Sequence, residues 1–242
     1  MRLPSVLALL YVLLFQVKGF GPKLNRNENF EQLYSEGKEA YLSNDFSGCV
    51  QRMEAALLDH KYYTEIITRC KLDCQTQIQT QSAVIEHIQE MMPFEKLIQE
   101  TLCLMKCKEG KIPRTRDEFA SESTRADFES KKPYDYLQLC YYKTDQLQKA
   151  ANAAFTHHIY NKDHRVSKDN LDFYLSQQGV STEDLVDVEE ADYVRTYLEG
   201  TEQYRLKDWK VMVVSMERAL REYLLAEDFC RTACDKPFDM GW

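Results

Sequence analysis

Glycine and proline are scarce in this chain, 8 and 6 of 242 residues. No glycine-rich phosphate loop can be built from them, and after the first residues proline appears only at Pro93, Pro113, Pro133 and Pro237. With helix formers dominant from Phe30 onward, this is the punctuation of an all-helical chain. Long apolar runs are missing as well. The longest, residues 6–17, is about a dozen residues, where about 20 are needed to cross a bilayer, so no membrane span is expected. Preceded by Met1 and Arg2 and followed by Gly19 and Gly21, it reads as the core of a signal peptide over residues 1–19. The mature protein is then luminal or secreted.

Positive charge is in deficit. Lys and Arg number 31 against 39 Asp and Glu, a net charge of -8, and removing residues 1–19 with Arg2 and Lys18 takes it to about -10. Nucleic acid is therefore not an expected partner, because that affinity comes from basic side chains neutralising phosphates. Catalytic motifs are lacking too. None of His60, His87, His157, His158 and His164 lies in His-x-Asp or His-x-Glu, so the local half of a two-histidine, one-carboxylate iron site is absent. There is no His-Glu-x-x-His, no Gly-x-Ser-x-Gly and no Asn-x-Ser/Thr glycosylation site. No catalytic residue, cofactor or metal site is assigned, and His157-His158 reads as an ordinary solvated pair at a helix end.

What the chain does have is 8 cysteines. In a chain entering an oxidising compartment they are read as a disulfide framework, with buried free thiols the alternative. Six of them form Cys-x-x-x-Cys pairs: Cys70 with Cys74, Cys103 with Cys107, Cys230 with Cys234. Residues four apart share a helix face, so each pair offers two sulfurs one turn apart. If the first two helices run antiparallel, Cys70 meets Cys107 and Cys74 meets Cys103. Cys230 and Cys234 then have no facing pair, and either pair elsewhere or mark a chain cut short. Cys49 and Cys140 suit either buried thiols or a bridge. A tetrathiolate zinc site is the metal alternative for the first four, and Cys-x-x-Cys redox chemistry lacks its motif.

The chain also repeats itself. Placing Gly37 on Gly200 superimposes Tyr34 on Tyr197, Tyr41 on Tyr204, Asp45 on Asp208, Met53 on Met216 and Ala56 on Ala219, and after a three-residue gap Cys70 and Cys74 on Cys230 and Cys234. Each copy reads as a tetratricopeptide-like helical hairpin: Gly37 or Gly200 lets the helices approach, Ala56 or Ala219 fills the crossing, and Phe46 or Trp209 covers the turn. Tyr136 to Phe155 resembles a third such hairpin, with its turn at Thr144-Asp145-Gln146, and residues 170–175 supply a further short helix. The aromatic stripes are expected to be core. The expected organisation is one domain over 20–242, with hairpins at about 28–74, 76–109, 133–178 and 192–234. A polar connection over residues 110–132 is the one stretch expected to be a loop. Stacked hairpins of this kind leave a concave surface suited to an extended or helical segment of another protein.

Arg69-Cys-Lys-Leu-Asp-Cys74, Leu102-Cys-Leu-Met-Lys-Cys-Lys-Glu-Gly-Lys-Ile-Pro113, Pro133-Tyr-Asp-Tyr-Leu-Gln-Leu-Cys-Tyr-Tyr-Lys143, Asn170-Leu-Asp-Phe-Tyr174 and Phe229-Cys-Arg-Thr-Ala-Cys234 together resemble the N-terminal helical region of the leprecans. That family includes procollagen prolyl 3-hydroxylases and the cartilage-associated protein. The resemblance implies residence in the endoplasmic reticulum and work on nascent procollagen, with a cyclophilin-type prolyl isomerase and other family members as partners. Family enzymes add an iron and 2-oxoglutarate dioxygenase domain, which this sequence does not contain, and no Lys-Asp-Glu-Leu-type retention signal closes it. A non-catalytic scaffold of the prolyl 3-hydroxylation machinery is the leading expectation. An N-terminal fragment of a prolyl 3-hydroxylase, or a secreted repeat protein unconnected with collagen, are the alternatives.

Overall fold

The computed structural model describes residues 29–79, 91–112 and 120–234. The expected signal peptide lies outside them. Among the described residues there are nine α-helices and no strand: α1 (Phe30–Leu42), α2 (Phe46–Gln79), α3 (Met92–Lys111), α4 (Glu122–Glu129), α5 (Lys132–Lys143), α6 (Leu147–Tyr160), α7 (Arg165–Leu175), α8 (Asp192–Arg205) and α9 (Trp209–Cys234). None of the described helices is long and apolar enough to cross a membrane.

The pairs α1–α2, α5–α6 and α8–α9 are hairpins built on one turn. Each first helix ends in a residue of left-handed conformation, Asn44, Asp145 or Lys207, with φ of 61°, 62° and 61°. The next residue's N–H then reaches back to the carbonyl five residues earlier: Asp45 to Ala40 at 2.9 Å, Gln146 to Tyr141 at 2.9 Å, Asp208 to Gln203 at 3.0 Å. This is the Schellman arrangement, which satisfies carbonyls that a helix end would otherwise leave bare. Asp45 then caps the second helix, its Oδ1 accepting the Gly48 N–H at 2.9 Å. The chain is thus an all-α stack of tetratricopeptide-like hairpins, and the third copy read from residues 136–155 is real.

The main core joins α1, α2 and α4–α7 through Phe30, Leu33, Tyr34, Met53, Phe128, Leu137 and the alanines 150, 151, 153 and 154, all buried. Gly37 lies against Met53, as Gly200 does against Met216, so the small residue accommodates a methionine rather than the facing alanine.

Four expectations are revised. Where one hairpin was expected to end near residue 74 and another to begin at 76, α2 runs unbroken to Gln79, because no glycine or proline lies between Gly48 and Pro93 to stop it. The supposed loop at 110–132 contains α4, whose Ser121 cap accepts the Thr124 N–H and whose Phe128 is buried against Phe30 and Tyr34. The aromatics and aliphatics of the last hairpin are not core: Tyr197, Tyr204, Trp209 and Val213 are exposed, since no described helix lies over them. His157 is not solvated but 4% exposed, because it falls on the inner face of α6.

An irregular segment, 181–189, lies extended along α6. Side chains one turn apart on that helix hold its backbone: Gln148 Oε1 accepts the Ser181 N–H at 2.9 Å, Asn152 Oδ1 that of Val186 at 3.3 Å, and Thr156 Oγ1 that of Val188 at 2.8 Å. Glu189 closes the ladder by accepting from the Tyr134 hydroxyl at 2.7 Å and pairing with Lys131 at 3.0 Å. Burial raises the Glu189 carboxyl, but the bonds from Tyr134 and Lys131 outweigh it and hold the group below the usual range.

Candidate functional site

Counting from the left-handed turn residue gives each hairpin the same coordinates. Seven residues before it stand Gly37, Gln138 and Gly200, and twelve after it Ala56, His157 and Ala219. The middle hairpin therefore places an amide and an imidazole where its neighbours have only small groups. Both are buried, Gln138 at 2% and His157 at 4% exposure, and each has an atom without a hydrogen-bond partner, Gln138 Oε1 and His157 Nδ1.

Asp135 organises the pair. Its Oδ1 accepts from Gln138 Nε2 at 2.6 Å, and its carbonyl accepts from the same nitrogen at 3.1 Å. That fixes the amide with its oxygen as the unused acceptor. Asp135 Oδ2 takes the Lys132 ammonium at 2.7 Å, and this bond raises the lysine pKa. His157 Nδ1 stands 4.0 Å from Asp135 Oδ1, and burial holds the imidazole below its ordinary pKa, neutral at physiological pH.

Gln138 lines a cavity of about 300 Å³ between α1, α5 and α7, with Tyr41, Lys132, Asp135, Tyr136, Leu139, Asn170 and Tyr174. Tyr41 and Tyr136 meet edge to face, centroids 5.2 Å apart. Burial first, then the neighbouring Tyr142, Tyr41 and Asp135, push the Tyr174 phenol up to about 12, so it stays a neutral donor. The lining combines ring faces, two amides and a charged pair, the mixture by which a cavity binds an apolar ring next to a peptide group.

The cysteines stand as follows. Cys70 is bridged to Cys107 and Cys74 to Cys103, with Cα–Cα separations of 5.9 and 5.8 Å, so α2 and α3 are joined twice. Those sulfurs are consumed, which disposes of the tetrathiolate zinc alternative. Cys49 and Cys140, left open between thiols and a bridge, are bridged, Cα–Cα 6.2 Å, tying α2 to α5. Cys230 and Cys234 are exposed free thiols. Among the described residues no group of three or more His, Cys, Asp and Glu is placed to hold a metal.

Sequence reasoning did not find Gln138, Asp135 or the cavity. The signal was present: aligning the third hairpin to the other two by its turn exposes Gln138 and His157 as the polar residues at small-residue positions.

Comparison with known proteins gives one consistent picture. Residues 29–241 match the leprecan family TPR-like repeat region. Prolyl 3-hydroxylase 2 of Homo sapiens is 34% identical over 212 residues, 86% of this chain and 30% of the relative. Prolyl 3-hydroxylase 1 of Rattus norvegicus is 30% identical over 220 residues, again 86% of this chain and 30% of the relative. Prolyl 3-hydroxylase 2 of Gallus gallus is 29% identical over 210 residues. The chain thus spans about 30% of the length of these relatives, and the match is to their repeat region.

Proposed function

The chain belongs to the leprecan family, and from that premise we propose that it is a non-catalytic helical scaffold of the endoplasmic-reticulum machinery for procollagen prolyl 3-hydroxylation and collagen folding. Its relatives are named for hydroxylating prolyl residues, and the region shared with them is the repeat region. Procollagen, a prolyl 3-hydroxylase and a cyclophilin-type isomerase are the proposed partners, and the organisation proposed is a signal peptide over 1–19 followed by one repeat domain.

The observation that supports the reading is the cavity between α1, α5 and α7, lined by Tyr41, Tyr136 and Tyr174 with Asn170 and the Lys132–Asp135 pair. An extended procollagen segment suits this lining: Asn170 and Lys132 are placed to meet carbonyls, and a proline ring lies against Tyr41, Tyr136 and Tyr174. Polyproline II chains lose little entropy on docking in such aromatic grooves.

The test is calorimetric titration of single-chain Pro-Pro-Gly repeat peptide into wild type and Asn170→Ala. The substitution removes a partly exposed amide of the cavity lining, so thermal stability is expected to hold while peptide affinity falls at least tenfold. Unchanged affinity in Asn170→Ala would overturn the assignment. Tyr136→Ala, on the cavity's aromatic side, is expected to weaken the same titration.

A further inference from the structure

The tyrosine-lined cavity has a titratable group behind its wall. His157 of α6 is 4% exposed and does not line the cavity, yet its Nδ1 stands 4.0 Å from Oδ1 of Asp135, which does. That separation is longer than a hydrogen bond and within reach of an ion pair. The same Oδ1 accepts from Gln138 Nε2 at 2.6 Å, and Oδ2 holds the Lys132 ammonium at 2.7 Å. Two polar groups of the lining, Lys132 and Gln138, thus hang on one carboxylate, and an imidazole stands beside it.

The imidazole is peculiar to this hairpin. Ala56 and Ala219 are buried at the same position of the sister copies, so the repeated unit does not need a histidine there to fold. The charged and titratable groups around His157 are Asp135 and Lys132 of α5, His164 at the cap of α7 and His158 beside it on α6. Burial is the largest influence and lowers its pKa; Asp135 opposes this, while Lys132, His164 and His158 add to it. Proton uptake therefore falls below the ordinary imidazole value of 6.5. His164 is exposed and 6.4 Å away between ring centroids, and His158 Nδ1 is engaged with Ser167 Oγ at 3.0 Å, so Asp135 is the anion that faces His157.

We infer that His157 is a proton switch on the cavity, an inference that rests on reading the cavity as a peptide site. At neutral pH the imidazole is uncharged and Asp135 stays with Lys132 and Gln138. Once protonated, Nδ1 becomes a charged donor inside the protein, where a charge is costly unless it is paired and hydrogen-bonded. Closing the gap to Asp135 by about 1 Å makes a charge-assisted bond of about 2.7–2.9 Å. The carboxylate then turns from Gln138 and Lys132 toward α6. The ammonium that meets a peptide carbonyl and the amide next to it lose their anchor together, so an extended segment held at neutral pH is released on acidification.

Two measurements on the full chain test the switch. In the first, with no peptide present, nuclear magnetic resonance follows the histidine rings and the Gln138 side-chain amide from pH 7.5 to 5. The amide is expected to shift with the midpoint of His157, below 6.5, and to stay fixed in His157→Ala. His157→Gln, uncharged at every pH and closer in length, gives the same reading if alanine leaves the core too open. In the second, Pro-Pro-Gly titration of wild type is expected to weaken about fivefold or more between pH 7 and 5, and that of the His157 variants to hold within about twofold. An amide that ignores the His157 titration overturns the switch, as does a pH dependence of affinity that survives in the variants. Loss of helical circular dichroism in step with His157 overturns it too, since the chain would then be unfolding. The first measurement contains no peptide and so decides the switch apart from the collagen reading, whereas wild type that binds no peptide at pH 7 overturns that reading.

Discussion

Tyr34 and Tyr197 hold the same position of the repeated unit, yet Tyr34 is fully buried and Tyr197 is 52% exposed. The difference lies in what comes next along the stack. Phe128 of α4 and Tyr136 of α5 meet the Tyr34 ring edge-on at 5.3 and 6.1 Å, and its hydroxyl donates to Asp127 at 2.9 Å. Tyr34→Ala is therefore expected to cost about 3–5 kcal/mol, and Tyr197→Ala no more than about 0.5 kcal/mol. Urea unfolding of the two variants measures both, and equal losses would contradict the open face of the last hairpin.

The two helix-crossing glycines make a second pair with opposite expected signs. A Cβ on Gly37 would stand 3.0–3.1 Å from three atoms of Met53, which is wholly buried and has nowhere to move. Gly37→Ala should destabilise by about 1–2 kcal/mol. At Gly200 the neighbour is Met216, 3.1–3.2 Å away but only half-buried and free to swing aside. There the helix propensity gained from Gly to Ala, about 1 kcal/mol, prevails, and thermal melts should show Gly200→Ala no less stable than wild type.

The Cys49–Cys140 bridge spans 91 residues and ties the first hairpin to the middle one. Chain entropy assigns a loop of that length about 4.6 kcal/mol, somewhat more than the bridges spanning 37 and 29 residues. The Cys49→Ala/Cys140→Ala variant should melt about 10 °C below wild type. A drop no larger than that of a single exposed substitution would show the bridge to be dispensable.

His60 lies between Phe30 and Phe128, ring centroids 5.0 and 4.5 Å away. Burial, then the nearby Lys131, push its pKa down to about 4. The unfolded chain takes up this proton near pH 6.5 and the folded chain does not until about 4, so the unfolded state binds more protons between those values. Full stability is present above pH 6.5 and falls on acidification across the window, by at most about 1.4 kcal/mol per pH unit from this group. His60→Phe should flatten the stability–pH curve there, as read by chemical denaturation at pH 7, 6 and 5. An unchanged slope would assign the acid sensitivity to other groups.

Much of the architecture was legible in the residues themselves. Helical class and the paired hairpins follow from periodicities of 3.6 residues and from spacing along the chain, which are local properties, and the cysteine spacing gave the Cys70–Cys107 and Cys74–Cys103 register on the condition that the two helices run antiparallel. Gln138 and His157 were legible only in part, because their meaning depends on a third copy that lacks the glycine and the Cys-x-x-x-Cys pair of the other two. Burial of His157, the helix at Glu122–Glu129 and the ladder of Gln148, Asn152 and Thr156 holding residues 181–189 were not legible, since each depends on which face meets which neighbour.

The sequence by itself determined the unit: two helices joined by a short turn, a glycine that lets them approach, two cysteines one helical turn apart. Tertiary structure alone decided which copies of that unit are covered and which stand open. Tyr34 and Tyr197, or Cys70 and Cys230, are chemically the same residue in the same local frame, and only the helices packed beside them make one a core or bridged group and the other a surface. Local chemistry repeats along a chain, but burial is a property of neighbours, and neighbours are set by the stack as a whole.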